Sequence, residues 1–501
     1  MRNALYIFRK DVRHLWPRAV PLLAITGLLG VIECRPLVPD PISNLLRSFW
    51  LLALAFLAAS LIQQEALPGD CQYWITRPYS RTDLLAAKAS FLAAFAGLPL
   101  LMMEAISIAA NGGSPWRHIP LLLTATLIFA GGACVFVGAL ASVTGNLAHF
   151  VAGFLPAVGL VILGQVIANS NGNTADWGSL EWIRTAVLGG VVVIAAAVVV
   201  FLQYSRRRTL VSRCVLGAAV VVAAAIPFLG SWRDAWAMKR WFSTEKLGDG
   251  FEYFAPLTFN ASERPLVGFA EARYSPTVGE AGINLPVLVG AFPPGTAVVS
   301  ERIAARIEAP DGRTWTSGWI QKGGLYRTAV LEDPLLIQRQ GAHWEYATVD
   351  ESFYQSVRDT PVRLHTTVAL TLLGNRQTAP LATRTGNEYS SAGSRCGVFP
   401  GPFGKLMVFC AWLPPVPARS YVTAVLAANG QTFSSRISAG PPMPLLNGSV
   451  WWRDATLFAP PPHIHEMDLE TWQALAHFER DLDIPQIHLA DYAVHRITDM
   501  P

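Results

Sequence analysis

The sequence predicts a polytopic α-helical membrane domain of about seven transmembrane helices, followed by a mainly-β, sandwich-like extracytoplasmic domain. Three observations predict it. The 501 residues are 52% hydrophobic and only 15% charged, whereas soluble domains approach a quarter charged. Long uncharged runs stop near Gly230, and Pro, Gly and Thr then punctuate short alternating segments. Residues 1–230 hold 16 Lys and Arg against 9 Asp and Glu, and the remainder 23 against 26. The basic surplus sits beside the apolar runs, so the net +4 speaks to membrane topology and gives no case for nucleic-acid binding.

Residues 1–18 read as a basic amphipathic helix on the cytoplasmic leaflet. Leu5, Phe8, Val12, Leu15 and Trp16 recur mostly at helical steps, and Arg9, Lys10 and Arg13 fall between them. No small-residue cleavage pattern follows, which argues against a secretory signal peptide. The domain at 19–229 holds seven apolar runs: Ala19 to Glu33, Leu45 to Ile62, Ala89 to Ala110, Ile119 to Val143, Phe150 to Ala168, Ala186 to Tyr204 and Cys214 to Leu229. Each is weighed against the roughly 20 residues that cross about 30 Å of hydrocarbon as a helix. The first two are short or flanked by charge, and Arg47 is expected to snorkel to the headgroups. Trp16, Trp50, Trp116 and Trp182 fall near helix starts and read as interfacial anchors.

Lys and Arg number twelve in the N-terminus and the second-to-third and sixth-to-seventh connections, against four (Arg35, Arg47, Arg117 and Arg184) in the alternate set. The excess puts the N-terminus in the cytoplasm of a plasma (inner) membrane protein. Seven crossings then place residues 230–501 outside. There, Val362, Leu364, Thr366, Val368, Leu370 and Leu372 alternate with Arg363, His365, Thr367 and Thr371, the period of a half-buried strand. Further strands are expected at Ala297 to Ile307, Leu325 to Leu331, Lys405 to Leu413, Tyr421 to Ala427 and Ile487 to Val494, separated or flanked by turns such as Asp311-Gly312 and Lys322-Gly323-Gly324. A helix is expected over Leu469 to Asp481, capped by Asp468, with Trp472, Leu475 and Phe478 along one face. These residues make one large β domain or two smaller ones. Cys396 and Cys410 flank a Gly/Pro-rich turn, so a hairpin could join them in a disulfide, the other reading being two buried thiols.

Little points to chemistry within this chain. No G-x-x-x-x-G-K-[ST] phosphate cradle occurs, and Ser394 does not sit in a G-x-S-x-G elbow, so no enzyme activity is expected. His463 and His465, near Glu466 and Asp468, lack a third ligand at a recognised spacing, and no metal site is expected. Glu104 is the one carboxylate deep in an expected span, and a charge there is costly enough to mark a substrate-pathway candidate; the plainer reading has it protonated or hydrogen-bonded near the helix end.

The connection from Gln64 to Lys88 is the most informative stretch: a polar turn through Glu65 and Gly69, the segment Arg77-Pro78-Tyr79-Ser80-Arg81, then a helix restart at Leu84, Leu85 and Lys88. This pattern resembles the corresponding loop of type-2 ATP-binding-cassette (ABC) exporter permeases, and the likeness covers the membrane half. The resemblance implies a permease that dimerises with itself or a related subunit and sits in membrane lipid. Its coupling loop (Glu65, Gly69, Arg77, Pro78, Ser80, Arg81, Lys88) engages a separate ATPase subunit, so ATP belongs to the partner and this chain carries no cofactor. A seventh span and a large outer domain depart from that pattern. The alternative expectation is a membrane-anchored extracytoplasmic recognition or scaffold protein without transport activity.

Overall fold

The computed structural model describes residues 2–34, 40–64, 80–170, 181–206, 208–226, 232–241, 256–261, 279–289, 295–327, 343–382, 388–391, 394–400, 406–413, 420–428, 431–439, 452–458 and 466–494. The chain divides into two compact units. One comprises Met1–Ser231, Thr383–Pro417 and Gly440–Ala459, and the other Trp232–Ala382, Ala418–Ala439 and Pro460–Pro501.

The first unit is built on helices. Helix α1 (Arg2–Glu33) runs without a break through Pro17 and Pro21, so residues 2–18 continue directly into the first apolar run. Its buried stripe, Ile7, Leu15, Ala19, Leu22 and Leu29, faces protein along the whole length. Helix α2 is Asp40–Gln63. Helix α3 covers residues 81–110 as Arg81–Leu92, a π-helical turn Ala93–Gly97, and Leu98–Ala110. Helix α4 covers residues 115–143 and holds a second π turn, Leu127–Gly131. Helices α5 (Leu147–Ser170) and α6 (Glu181–Arg206) follow. These six helices are long and apolar enough to cross a membrane, which identifies a membrane protein. The expected seventh, α7 (Thr209–Ala225), is also apolar but has only 17 residues.

Leu22 and Leu29 of α1, Trp50, Leu54 and Leu57 of α2, and Phe91 and Leu100 of α3 form the core where α1 to α4 meet. Trp50 belongs to this core and is no interfacial anchor: it is fully buried, donates to Thr26 Oγ1 at 2.9 Å, and stacks on Phe129 of the α4 π turn. Trp16 and Trp116 are exposed.

A small sheet belongs to this unit as well. Strands β7 (Glu388–Ser391), β8 (Ser394–Pro400), β9 (Leu406–Trp412) and β12 (Trp452–Phe458) pair antiparallel in the order β12-β9-β8-β7. Ala411 and Leu413 are buried with Ile108 of α3 and Leu121, Leu122 and Ala125 of α4, which seats the sheet on the end of that helix pair. Cys396 is disulfide-bonded, and its register partner across β8 and β9 is Cys410.

The second unit has two antiparallel sheets. In one, β2 (Glu280–Val289) pairs with β1 (Leu257–Phe259), β5 (His343–Asp350) and β14 (Ala493–Val494). The other is ordered β11 (Gln431–Ala439), β10 (Ser420–Ala428), β13 (Glu466–His488), β6 (Pro361–Ala382), β3 (Ala297–Glu308) and β4 (Thr314–Arg327). Ile283, Leu285 and Val287 of the first sheet share one buried cluster with Val298, Ile303, Leu364, Val368, Leu370 and Phe478 of the second. The expected alternation in β6 is seen from Val362 to Val368, with Val362, Leu364, Thr366 and Val368 buried and Arg363 and His365 exposed; from Val368 to Leu373 both faces are buried, Thr371 of the expected outer face included.

The expected helix over Leu469 to Asp481 is instead the middle of β13. Trp472, Leu475 and Phe478 match a helical step, but Trp472, Ala474, Ala476, Phe478, Leu482 and Ile484 also alternate, and these are the buried residues. Pairing with β6 from Glu466 to His488 satisfies the backbone and decides for the strand. The Lys322-Gly323-Gly324 turn likewise lies inside β4. Register jumps from Ser300–Gly324 to Arg302–Gln321, so Lys322 and Gly323 stand opposite Glu301 as a bulge. Asp311-Gly312 does form a turn, with Gly312 in the left-handed region at φ +86°.

Candidate coupling site in the helical unit

Of the loop residues singled out in the sequence, Glu65, Gly69, Arg77 and Pro78 lie outside the described residues. The described residues on both sides of the segment have defined partners. Ser80 is the N-cap of α3: the Asp83 N–H donates to Ser80 Oγ at 3.0 Å, and Ser80 Oγ donates to Asp83 Oδ2 at 2.8 Å. An N-cap hydroxyl satisfies one of the amides a helix start leaves unpaired, so Ser80 fixes where α3 begins. Arg81 opens the helix.

Lys88, two turns into α3, is buried and reaches across two helices. Its Nζ donates to Asp11 Oδ2 of α1 at 3.1 Å and to the Leu61 carbonyl of α2 at 2.9 Å. Leu61 lies in the last turn of α2, where carbonyls lack intrahelical partners, so the ammonium caps α2 while it neutralises Asp11. Asp11 is fully buried. It is the lone acid among the basic side chains of residues 2–18, and that was the signal a sequence reading focused on the basic residues passes over. Ile7, Leu84 and Ala87 pack around this tie with Tyr204 of α6. The two ends of the 65–79 segment therefore emerge from helices, α2 and α3, that the Lys88 ammonium joins to one another, and α3 to α1.

A second polar lock closes the opposite end of the same helices. Arg47 of α2 is buried and ion-paired with Glu33 of α1, so it does not snorkel to the headgroups. A carboxylate one helix away is a better partner for a buried guanidinium than a distant interface. Ser107 Oγ of α3 donates to the Glu33 carbonyl at 2.7 Å. Asn111 Nδ2 donates to the Ser107 carbonyl at 2.8 Å, and Asn111 Oδ1 accepts from Arg395 of β8 at 3.0 Å. Glu104, buried at 2% exposure, lies one turn before Ser107 and so on the side of α3 that carries this network. The structure thus places Glu104 among protein groups near a helix end.

Between the locks, the π turns of α3 and α4 lie against one another. Such turns interrupt the regular hydrogen-bond ladder and occur often at functional sites.

The second unit has its own buried polar cluster, at the bulge. In β3 against β6, Ser300 pairs with Leu370 and Arg302 with Ala369, leaving Glu301 as the extra residue. Helix α8 (Trp232–Trp241) supplies Lys239, whose Nζ lies 3.2 Å from Glu301 Oε1. Thr371 Oγ1 donates to the same oxygen at 2.9 Å and contacts His477 Nδ1 at 2.9 Å. Since the hydroxyl proton is spent on Glu301, the imidazole nitrogen is the donor in that second bond. The Trp236 ring meets His477 edge-on, and Lys239 sits over Trp236. His477 is thus engaged in a structural network, and no group of three or more metal-ligating side chains occurs among the described residues. His463 and His465 lie outside them.

No protein-family model matches the chain, and no curated protein matches it either.

Proposed function

We propose that the chain is the permease subunit of an ABC-type transporter, an exporter driven by a separate ATPase that engages the 65–88 segment. The observation that carries this reading is the buried Asp11–Lys88–Leu61 tie at the foot of that segment. A push on the segment moves the start of α3, and Lys88 carries that displacement into α1 through its ion pair with Asp11 and into the end of α2 through its hydrogen bond to Leu61. The paired π turns give α3 and α4 a place to bend, and Glu104 lies where an access change at the far end would be felt.

In this reading the N-terminus is cytoplasmic and α7 makes the seventh crossing. At 1.5 Å per residue it is about 26 Å long, short of a 30 Å core by an amount that local thinning accommodates at small cost. The sheets of the second unit then lie outside and meet the cargo. Cysteine labelling tests this placement: Pro501 is expected on the opposite side from Met1.

The decisive experiment is purification of the chain from its native membranes in mild detergent. An ABC-type ATPase is expected to co-purify and to be lost in Arg77→Glu/Arg81→Glu. Clean recovery without any ATPase, or an association indifferent to that double change, refutes the reading and favours a membrane-anchored recognition protein. Such a protein would keep its activity when residues 65–88 become a neutral linker.

A further inference from the structure

We propose that the groove bounded by α4, α5, α6 and α7 is a binding site for one anionic phospholipid, with an acyl chain in its apolar interior and the phosphate at Arg213. This inference stands apart from the transport reading, because it uses none of the residues assigned to coupling.

The interior is a cavity of about 200 Å³ lined only by apolar residues, among them Phe136 of α4, Ala157 and Ile162 of α5, Leu188 and Val192 of α6, and Ala219 of α7. Beyond Ile162 and Ala223 the groove narrows, because α5 and α7 touch: a Cβ on Gly164 would stand 2.7 Å from the Ala224 carbonyl oxygen. Adjacent to it lies a second space of about 390 Å³, lined by Thr144, Gly145, His149 and Arg213. Leu216 lines both. On α7, Arg213, Leu216, Val220 and Ala223 recur at helical steps, so a basic mouth and an apolar shaft lie along one helix face. From Arg213 to Ala223 the rise is about 15 Å, the depth of one leaflet's hydrocarbon.

Charge complementarity selects the occupant. Arg213 donates from Nε and Nη2 to the Val143 carbonyl, which holds it at the end of α4 and leaves guanidinium donors in excess. The mouth also contains His149 and the N-terminus of α5, where Asn146 Oδ1 accepts from the His149 N–H at 2.8 Å. A hydrocarbon alone would leave this mouth unused, and a free phosphate would leave the shaft empty. A lipid with a negative headgroup fills both.

The test uses the full chain in lipid nanodiscs with a phosphatidylglycerol analogue carrying a photoactivatable diazirine on its acyl chain. Adducts are expected on peptides of α4, α5, α6 and α7. Unlabelled phosphatidylglycerol should compete about fivefold better than phosphatidylcholine, the factor that corresponds to about 1 kcal/mol for one basic side chain at an anionic surface. Inorganic phosphate should not compete. Arg213→Gln, which keeps a donor for Val143, should abolish the headgroup preference, whereas Ala219→Phe should remove adducts whatever the headgroup. Adducts elsewhere, equal competition by the two lipids, competition by phosphate, cross-links between copies in place of lipid adducts, or undiminished labelling of Ala219→Phe would each overturn the proposal.

Discussion

Replacing Lys88 by Met tests whether the α1–α2–α3 tie holds the helical unit together. The substitution keeps most of the side-chain volume and removes the charge, so its effect is chiefly electrostatic. Asp11 is fully buried and Lys88 nearly so, the pair lies at 3.1 Å, and the same ammonium serves the Leu61 carbonyl at 2.9 Å. Removing one partner of a buried pair costs about 3–5 kcal/mol, and because Lys10 Nζ still lies 3.7 Å from Asp11 Oδ1 the lower end of that range is expected. For a unit of this size each kcal/mol moves the melting temperature by about 2–4 °C, so Lys88→Met should melt on the order of 10 °C earlier. Intrinsic tryptophan fluorescence in detergent follows this, since Trp50 lies inside the same α1–α2–α3 core. Asp11→Leu should cost a similar amount, and the double variant less than the sum by about 1–3 kcal/mol, because it removes both charges at once. A Lys88→Met chain within about 1 kcal/mol of the parent, or strictly additive single changes, would refute the argument that the pair is a buried mechanical link.

Three further outcomes follow from the same geometry. Arg47→Leu should destabilise the helical unit by about 3–5 kcal/mol and Arg47→Leu/Glu33→Leu by less, as thermal scans of the two would show. Lys239→Met should destabilise the second unit by leaving the Glu301 carboxylate without its cation while it keeps the Thr371 hydrogen bond, read as earlier proteolysis of the full chain within residues 232–382. The Arg363 guanidinium holds the Asp483 carboxyl below its ordinary value through a side-chain hydrogen bond. Its small stabilising contribution is therefore complete above the unfolded value near pH 3.9 and is lost as pH falls through the depressed folded value. Asp483→Asn should accordingly flatten the fall in melting temperature below about pH 4, and an unchanged pH profile would count against the pair.

The membrane character was legible because lipid imposes a coarse rule, about 20 uncharged residues, that no tertiary contact can override. The alternation at the start of β6 was legible for a similar reason: only one face is buried from Val362 to Val368, and a one-residue slip would turn those side chains outward; the burial of Thr371 further along the strand was not legible. Polar ties were not legible, since they join residues far apart in sequence. Lys88 stands out in the loop motif, but nothing in the sequence says that it faces Asp11 or that Arg47 turns inward to Glu33. The helix expected near Asp468 shows the other limit. Trp472 and Phe478 serve either periodicity, and only the long partner strand β6 breaks the tie. Nor does the sequence reveal that residues 383–417 and 440–459 return to the helical unit, because short alternating strands look alike whichever core they join.

The distribution of burial assigns different tasks to the helices. Half of the α2 span is buried within the chain, against 6% of the α5 span and 17% of the α6 span. Helices α1, α2 and α3 also carry the two polar locks, so they form a bound set whose members move together. Helices α5 and α6 are apolar on nearly every side, and such helices need apolar surroundings beyond their own chain. In the transport reading proposed above, lipid or a second permease copy supplies them. A displacement at the start of α3 then meets firm coupling toward α1 and α2 and, toward α6, only the apolar contact with Tyr204. Any motion of the bundle should therefore show as a shift of the locked set against the loosely covered pair, with the π turns of α3 and α4 at the boundary.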